Sequence, residues 1–249
     1  MINWNLTKKK LFVVGVGPGS KSYLTDYSQE IIKNSDFIIG YKYTLLTIAH
    51  IVDRSLQQVF EVTMKNQEEV YLHVFNDLMK DNDICTVPFT GDVNFSESEV
   101  VDRLLEIYGD DNVEIVPGIS SIQIASSMSR VPLDKATIMT FHITGDIEEK
   151  KLELIKSVID KKSVILVPRP WPSIPYKNFM PSDISLFLKK NGIDTSNIDV
   201  WVFENLTNNE KETLYQGKMD TLENKKFSDL SVMVIDQNIR QTYLDFPQS

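Results

Sequence analysis

Cysteine is close to absent: the 249 residues contain one, Cys85, so no disulfide can form within the chain. It lies in the apolar run Ile84-Cys85-Thr86-Val87, which predicts a buried, inert thiol in a reducing compartment. Histidine is nearly as scarce. His50, His73 and His142 stand too far apart in sequence for zinc-like spacing, so no metal is expected. Basic residues fall short of acidic ones, 26 Lys and Arg against 35 Asp and Glu, and the formal charge of −9 repels polyanions. General nucleic-acid binding is thereby disfavoured unless basic groups gather locally. Lys8-Lys9-Lys10 before Leu11-Phe12-Val13-Val14 has the outline of a signal peptide, but Gly15, Gly17, Pro18 and Gly19 cut the apolar run at once. No other stretch approaches the ~18 apolar residues that a membrane span needs. A cytoplasmic chain with no membrane partner is expected.

What is present is the composition of a folded protein, and the length fits one large domain or two small ones. Residues 11–16 form a short apolar run ending in glycines, the pattern of a central parallel strand. Helical spacing follows over 23–34, then strand 37–39, a helix near 43–49, strand 56–62, helix 68–79, strand 83–87, helix 97–108 and strand 113–116. Repeated βα units predict an open, mostly parallel sheet with helices on both faces. After Pro117-Gly118 the rhythm changes. Helix 120–128, strand 137–142, helix 148–159 and strand 163–167 lead into a stretch with Pro168, Pro170, Pro172 and Pro175. Helix 182–191 precedes strands 199–204, 212–216 and 230–235, whose short connections suit antiparallel pairing. The expected division is an N-terminal α/β domain over 1–117 and a C-terminal mixed α/β domain over 118–249, with a polar tail from Asn238.

The segment Gly15-Val16-Gly17-Pro18-Gly19-Ser20-Lys21-Ser22 between strand and helix admits several readings. A dinucleotide fingerprint needs Gly-x-Gly-x-x-Gly and an acidic residue after the second strand; here the glycines run Gly-x-Gly-x-Gly and the second strand ends Gly40-Tyr41-Lys42. Pro18 also removes a donor that a pyrophosphate would use. A P-loop of a nucleotide hydrolase is a near miss, with Lys21-Ser22 correctly spaced from Gly15 but Ser20 in place of a glycine. A tight turn without ligand is the third reading.

Three blocks taken together are more specific. Gly15-x-Gly-Pro-Gly19 with Leu24-Thr25 and Ser35-Asp36-Phe37-Ile38-Ile39-Gly40-Tyr41, then Thr90-Gly91-Asp92, then Val116-Pro117-Gly118-Ile119-Ser120-Ser121, resemble in order the signatures of the tetrapyrrole (corrin/porphyrin) methylases. Within that family, Ile122-Gln123, Phe141-His142, Glu204-Asn205-Leu206-Thr207 and Phe227-Ser228-Asp229-Leu230 are similar to the subgroup that methylates C5 of a cobalt-corrin precursor. The resemblance implies two α/β domains with a ligand cleft between them, S-adenosylmethionine as cofactor, a small corrinoid substrate and a homodimer. Methylation at another ring position is the alternative within the family.

By resemblance, Thr90, Gly91, Asp92, Ser120, Ser121 and Leu206 bind the cofactor, and Gly17, Pro18, Gly19 and His142 face the substrate. Each has a plainer reading beside it: Asp92 as a turn aspartate, Ser120-Ser121 as a helix cap, His142 as a structural strand-end residue. No catalytic side chain is expected, because a sulfonium methyl is already activated and the protein supplies positioning and desolvation. Two departures stand out. The family commonly has Gly-Asp-Pro where this chain reads Gly91-Asp92-Val93-Asn94-Phe95-Ser96. The subgroup often follows its histidine with Gly-Arg, whereas Ile143-Thr144-Gly145-Asp146 follows here and calls for a basic substrate contact from elsewhere. A corrin precursor carries several carboxylates, and Lys42, Arg130, Arg169 and Lys177 are the candidates to meet them.

Overall fold

The computed structural model describes residues 8–171, 174–208 and 210–237, so the expected polar tail from Asn238 and Pro172 lie outside the described residues. The described residues fall into two compact units. The first holds those up to Ile124 together with those of Asn205–Glu212, and the second those of Ala125–Glu204 and from Thr213 onward.

The first unit is a five-stranded, wholly parallel sheet of β1 (Lys10–Gly15), β2 (Phe37–Tyr41), β3 (Gln58–Val62), β4 (Ile84–Phe89) and β5 (Val113–Val116), in the order β3-β2-β4-β1-β5. Alternation along the strands divides its core. Leu11, Val13, Phe37, Ile39, Cys85 and Val87 face one side, where α3 (Gln67–His73) and α4 (Ser98–Tyr108) pack; Phe12, Val14 and Ile38 face the other, against α1 (Asp26–Lys33) and α2 (Lys42–Ile48). Strands buried on both faces must be apolar throughout, as residues 11–14 are. The Cys85 thiol is fully buried and burial pushes its pKa up to about 12, in accord with an inert thiol. The helix expected over 68–79 is α-helical only to His73, and a π turn closed by Met79 N–H on Val74 O (2.9 Å) completes it.

α5 (Ser121–Ser129) leads into the second unit, a mixed sheet of β6 (Ala136–Thr140), β7 (Ser163–Val167), β8 (Asp199–Glu204), β9 (Thr213–Lys218) and β10 (Ser231–Asp236), in the order β6-β7-β10-β8-β9. β6 and β7 are parallel, and the β10–β7, β10–β8 and β8–β9 pairs are antiparallel, as the short connections suggested for the last three strands. The last strand is inserted at the centre of the sheet. Its run Ser-Val-Met-Val-Ile is buried on both faces, whereas the edge strand β9 is largely exposed. α6 (Glu148–Ile159) and α7 (Pro181–Lys190) cover one face through Leu154, Val158, Ile184 and Leu188. Among the described residues no helix is long and apolar enough to cross a membrane.

Candidate functional site

The direction of the crossovers locates a crevice in the parallel sheet. β2 connects outward to β3 through α2 on one face, and its neighbour β4 connects the opposite way to β5 through α4 on the other face. Ligands of open α/β sheets bind beyond the carboxyl ends of the strands at such a reversal. Thr90, just after β4, meets Thr44 of α2 across it, with their hydroxyl oxygens 3.2 Å apart.

The carboxyl ends of β1, β4 and β5 are tied together by backbone. Val16 N–H donates to Phe89 O (2.8 Å), and Gly17 and Gly91 exchange two bonds, Gly17 N–H to Gly91 O (3.2 Å) and Gly91 N–H to Gly17 O (2.7 Å). A Cβ on Gly15 would lie 2.6 Å from Gly118 N and 2.7 Å from Gly91 O, and one on Gly118 would lie 2.3 Å from Gly91 O. Three chain segments thus touch at distances that only glycine permits. Gly91 itself is different: a Cβ there would stand 4.0 Å from Ser120 Cα and Ser121 N, leaving a shallow space before the first turn of α5. Asp92 braces the same junction. One carboxylate oxygen accepts from Asn94 N–H (2.9 Å) within its own turn, and the other from Gly118 N–H (2.7 Å).

Ser120 caps α5. Its hydroxyl oxygen accepts from Ile122 N–H (3.2 Å), Gln123 Oε1 accepts from Ser120 N–H (2.7 Å), and Gln123 N–H donates to Ser120 O (3.1 Å), a variant of the capping box that Ser-x-x-Gln encodes. Ser121 follows as the first helical residue, half-buried, beside the space in front of Gly91. Leu206 arrives from the connection between β8 and β9, whose described residues belong to the first unit. There Thr207 Oγ1 accepts from Ser20 N–H (2.9 Å), and a Cβ on Gly19 would lie 3.5 Å from Leu206 O. Thr207 has a left-handed φ of 67°. For a β-branched residue this costs on the order of 1–2 kcal/mol, which its bonds to Ser20 and from Thr207 N–H to Glu212 Oε2 (2.5 Å) help to offset.

Of the residues assigned by sequence, Gly17, Pro18, Gly19, Thr90, Gly91, Asp92, Ser120 and Leu206 therefore stand at the strand ends or loops of the first unit, and Ser121 at the start of α5. Gly17 and Pro18 are buried and Gly19 is half-buried. His142 is exposed and belongs to the second unit, just after β6. Gly15, Gly118 and Thr207 carry contacts of the junction; Gly15 belongs to the loop expected on the substrate side, while Gly118 and Thr207 had no assigned role. Their signal was their place in the motif blocks, whose backbone closeness no spacing reveals. Among the described residues no three His, Cys, Asp or Glu side chains are arranged to hold a metal.

The P-loop reading is overturned. A phosphate cradle needs free backbone donors, but the N–H groups of Val16, Gly17, Ser20, Ser22 and Tyr23 are all bonded within the chain. Lys21 is exposed on a short 3₁₀ turn rather than at the mouth of a helix.

Glu97, at the start of α4, is a carboxyl that the fold shifts upward. Burial, helped by the Glu99 charge, raises its pKa from 4.5 to about 7, and its field contributes to raising Tyr41 at the end of β2 to about 12, where burial is the larger cause. Tyr41 donates to Gln67 Oε1 (2.6 Å), and nearby Tyr71 is wholly buried with a hydroxyl that has no partner. Between pH 4.5 and about 7 the folded chain keeps a proton that the unfolded chain has lost, so stability falls as pH rises through that window. Glu97→Gln is expected to flatten this slope and to add about 3 kcal/mol at pH 8 relative to pH 4.5. Urea midpoints at the two pH values decide; an unchanged slope would remove Glu97 as its source.

A family model described as Tetrapyrrole (Corrin/Porphyrin) Methylases matches residues 10–223. A probable cobalt-precorrin-7 C(5)-methyltransferase of Methanocaldococcus jannaschii is 32% identical over 227 residues, 91% of this chain and 97% of that protein. The solved structure of the methyltransferase CobJ superposes with a TM-score of 0.72 at 14% identity, covering 91% of this chain and 93% of that one. The cobalamin-biosynthesis precorrin-6Y methylase CbiE of Archaeoglobus fulgidus gives 0.64 at 19% identity, covering 92% and 99%. A uroporphyrin-III C-methyltransferase of Thermus thermophilus, complexed with S-adenosylhomocysteine, gives 0.65 at 15% identity and covers 93% of both chains.

Proposed function

Because the chain belongs to the tetrapyrrole (corrin/porphyrin) methylases, we propose that its methyl acceptor is cobalt-precorrin-7 and that the methyl group goes to C5. The reading rests on one observation above the others, the 32% identity that runs through 91% of this chain to a relative bearing that name. The enzyme is an S-adenosylmethionine-dependent methyltransferase, and a corrinoid is its small-molecule substrate.

The residues present fit such a cofactor. The shallow space before Gly91 faces the capped N-terminus of α5, where the N–H groups of Ser120, Ile122 and Gln123 are bonded within the turn and the N–H and hydroxyl of Ser121 suit a carboxylate. We assign Thr90, Gly91, Asp92, Ser120, Ser121 and Leu206 to this binding, Asp92 acting through the Gly118 bond and Ser120 as the helix cap. When bound, the cofactor supplies a methyl group on a positively charged sulfur, so the chain needs to align and desolvate rather than to attack. Gly17, Pro18, Gly19 and His142 are proposed for the substrate side, with Gly17 and Pro18 shaping the loop from within. A homodimer, a cytoplasmic location and a folding division at 1–117 and 118–249 belong to the same proposal.

The test is anaerobic incubation of the protein with cobalt-precorrin-7 and S-adenosylmethionine carrying a labelled methyl group. One labelled methyl at C5, read by mass and carbon NMR, is expected. Label arriving at another ring carbon, or only on another corrin precursor, would reassign the position within the family.

A further inference from the structure

A cavity of about 320 Å³ opens in the second unit at the carboxyl ends of the parallel pair β6 and β7, beside the start of α6. Its wall contains Arg169, which is 4% exposed. The Nη2 group donates to Thr144 O and Gly145 O (both 3.0 Å), and the buried Nε has no partner at all. Two neutral carbonyls do not cancel the charge of a guanidinium, and among the described residues no carboxylate pairs with it. A buried cation without a counter-ion is costly.

The neighbours sharpen the imbalance. The Arg169 guanidinium carbon lies 5.2 Å from the Trp171 ring centre, and Lys177 Nζ lies 4.7 Å from the same ring. Two cations attend one indole, and among the described residues no carboxylate forms an ion pair with either. Lys151 pairs with Glu148 at 2.7 Å, and Asp146, which accepts from Glu148 N–H (3.0 Å), keeps its charge. With Arg169 and Lys177 the lining therefore stays net positive, three cations against two carboxylates, at a strand-end cavity. Of the four basic candidates named from sequence, these two share the cavity. Lys42 starts α2 in the first unit, and Arg130 is an exposed residue in a left-handed turn.

We propose that this cavity is a carboxylate subsite, in which Arg169 and Lys177 hold an acidic side arm of the tetrapyrrole. The inference rests on the proposed function for the identity of the ring, but the charge argument does not depend on which carbon is methylated. It also accounts for the missing Gly-Arg after His142: Arg169 places its guanidinium on the backbone of the same segment, at Thr144 and Gly145.

The test uses the full chain with uroporphyrin as the free acid and as its methyl ester, followed by equilibrium dialysis on the porphyrin absorbance. The parent should bind the acid more tightly, while K177Q and R169K should each weaken the acid roughly tenfold and leave the ester unchanged. S-adenosylhomocysteine affinity should stay constant in both variants, which reports an intact fold; K177Q, at a half-buried residue outside the core, keeps the test open if R169K misfolds. Equal binding of acid and ester by the parent, or a well-folded K177Q that binds the acid normally, would overturn the subsite. A parent that prefers the acid yet leaves cobalt-precorrin-7 unmethylated would support the subsite and remove the proposed acceptor instead.

Discussion

Gly118→Ala is expected to unfold the junction of the first unit and abolish binding of S-adenosylhomocysteine. The added methyl carbon would lie 2.3 Å from Gly91 O, 2.7 Å from Gly15 C and 2.8 Å from Gly15 Cα. All three are backbone atoms, Gly15 held in the β1–β4 ladder and Gly91 O by the Gly17 N–H bond, so no side chain can swing aside. Relief requires β5 to shift against β1, which also strains the Gly118 N–H bond to Asp92. A cost of about 3 kcal/mol or more follows for a forced backbone displacement. Scanning calorimetry should show the thermal midpoint lowered by roughly 10 °C. Gly145→Ala is the control, since a Cβ there meets nothing within 4 Å and its effect should stay within about 0.5 kcal/mol. A Gly118→Ala protein as stable as the parent would show that the three glycines are not in contact.

Asp92→Ala should come second, and Asp92→Asn should behave almost as badly. The carboxylate accepts from two backbone donors, Asn94 N–H and Gly118 N–H, one on each oxygen. A carboxamide has one acceptor, so asparagine satisfies one donor and turns an NH₂ group toward the other. Losing a hydrogen bond to a charged group costs about 1.5–3 kcal/mol, and the partly buried Gly118 N–H is the more expensive one to leave unpaired. Cofactor affinity and stability are expected to fall together, because the carboxylate holds the loop after β4 to the loop after β5. Calorimetric titration with S-adenosylhomocysteine alongside urea unfolding tests this. Lost affinity with unchanged stability would mean that Asp92 touches the ligand directly and that its bond to Gly118 contributes little.

Much of this protein is legible one residue at a time, where the signal is local. The apolar runs at 11–16 and 163–167 and the amphipathic segment 148–159 identify their own elements, because burial pattern and element type are set by neighbours along the chain. Ser120 with Gln123 announces the start of α5 through bonds that span three residues. The glycine blocks and their order identify the family, since each block is a contiguous turn whose backbone demands are written in its own residues.

Long-range closeness is what the tertiary structure decided. A strand such as β10, apolar on both faces, must be central, but nothing in its residues chooses β7 and β8 as its neighbours. Pairing partners are selected by the whole sheet. That Gly15, Gly91 and Gly118 meet, and that Asp92 braces Gly118, follows only from laying β1 between β4 and β5. The same holds for charge. Sequence offered Lys42, Arg130, Arg169 and Lys177 as equals, and burial separated them, because the free energy of a cation depends on the solvent and partners around it rather than on its neighbours in the chain.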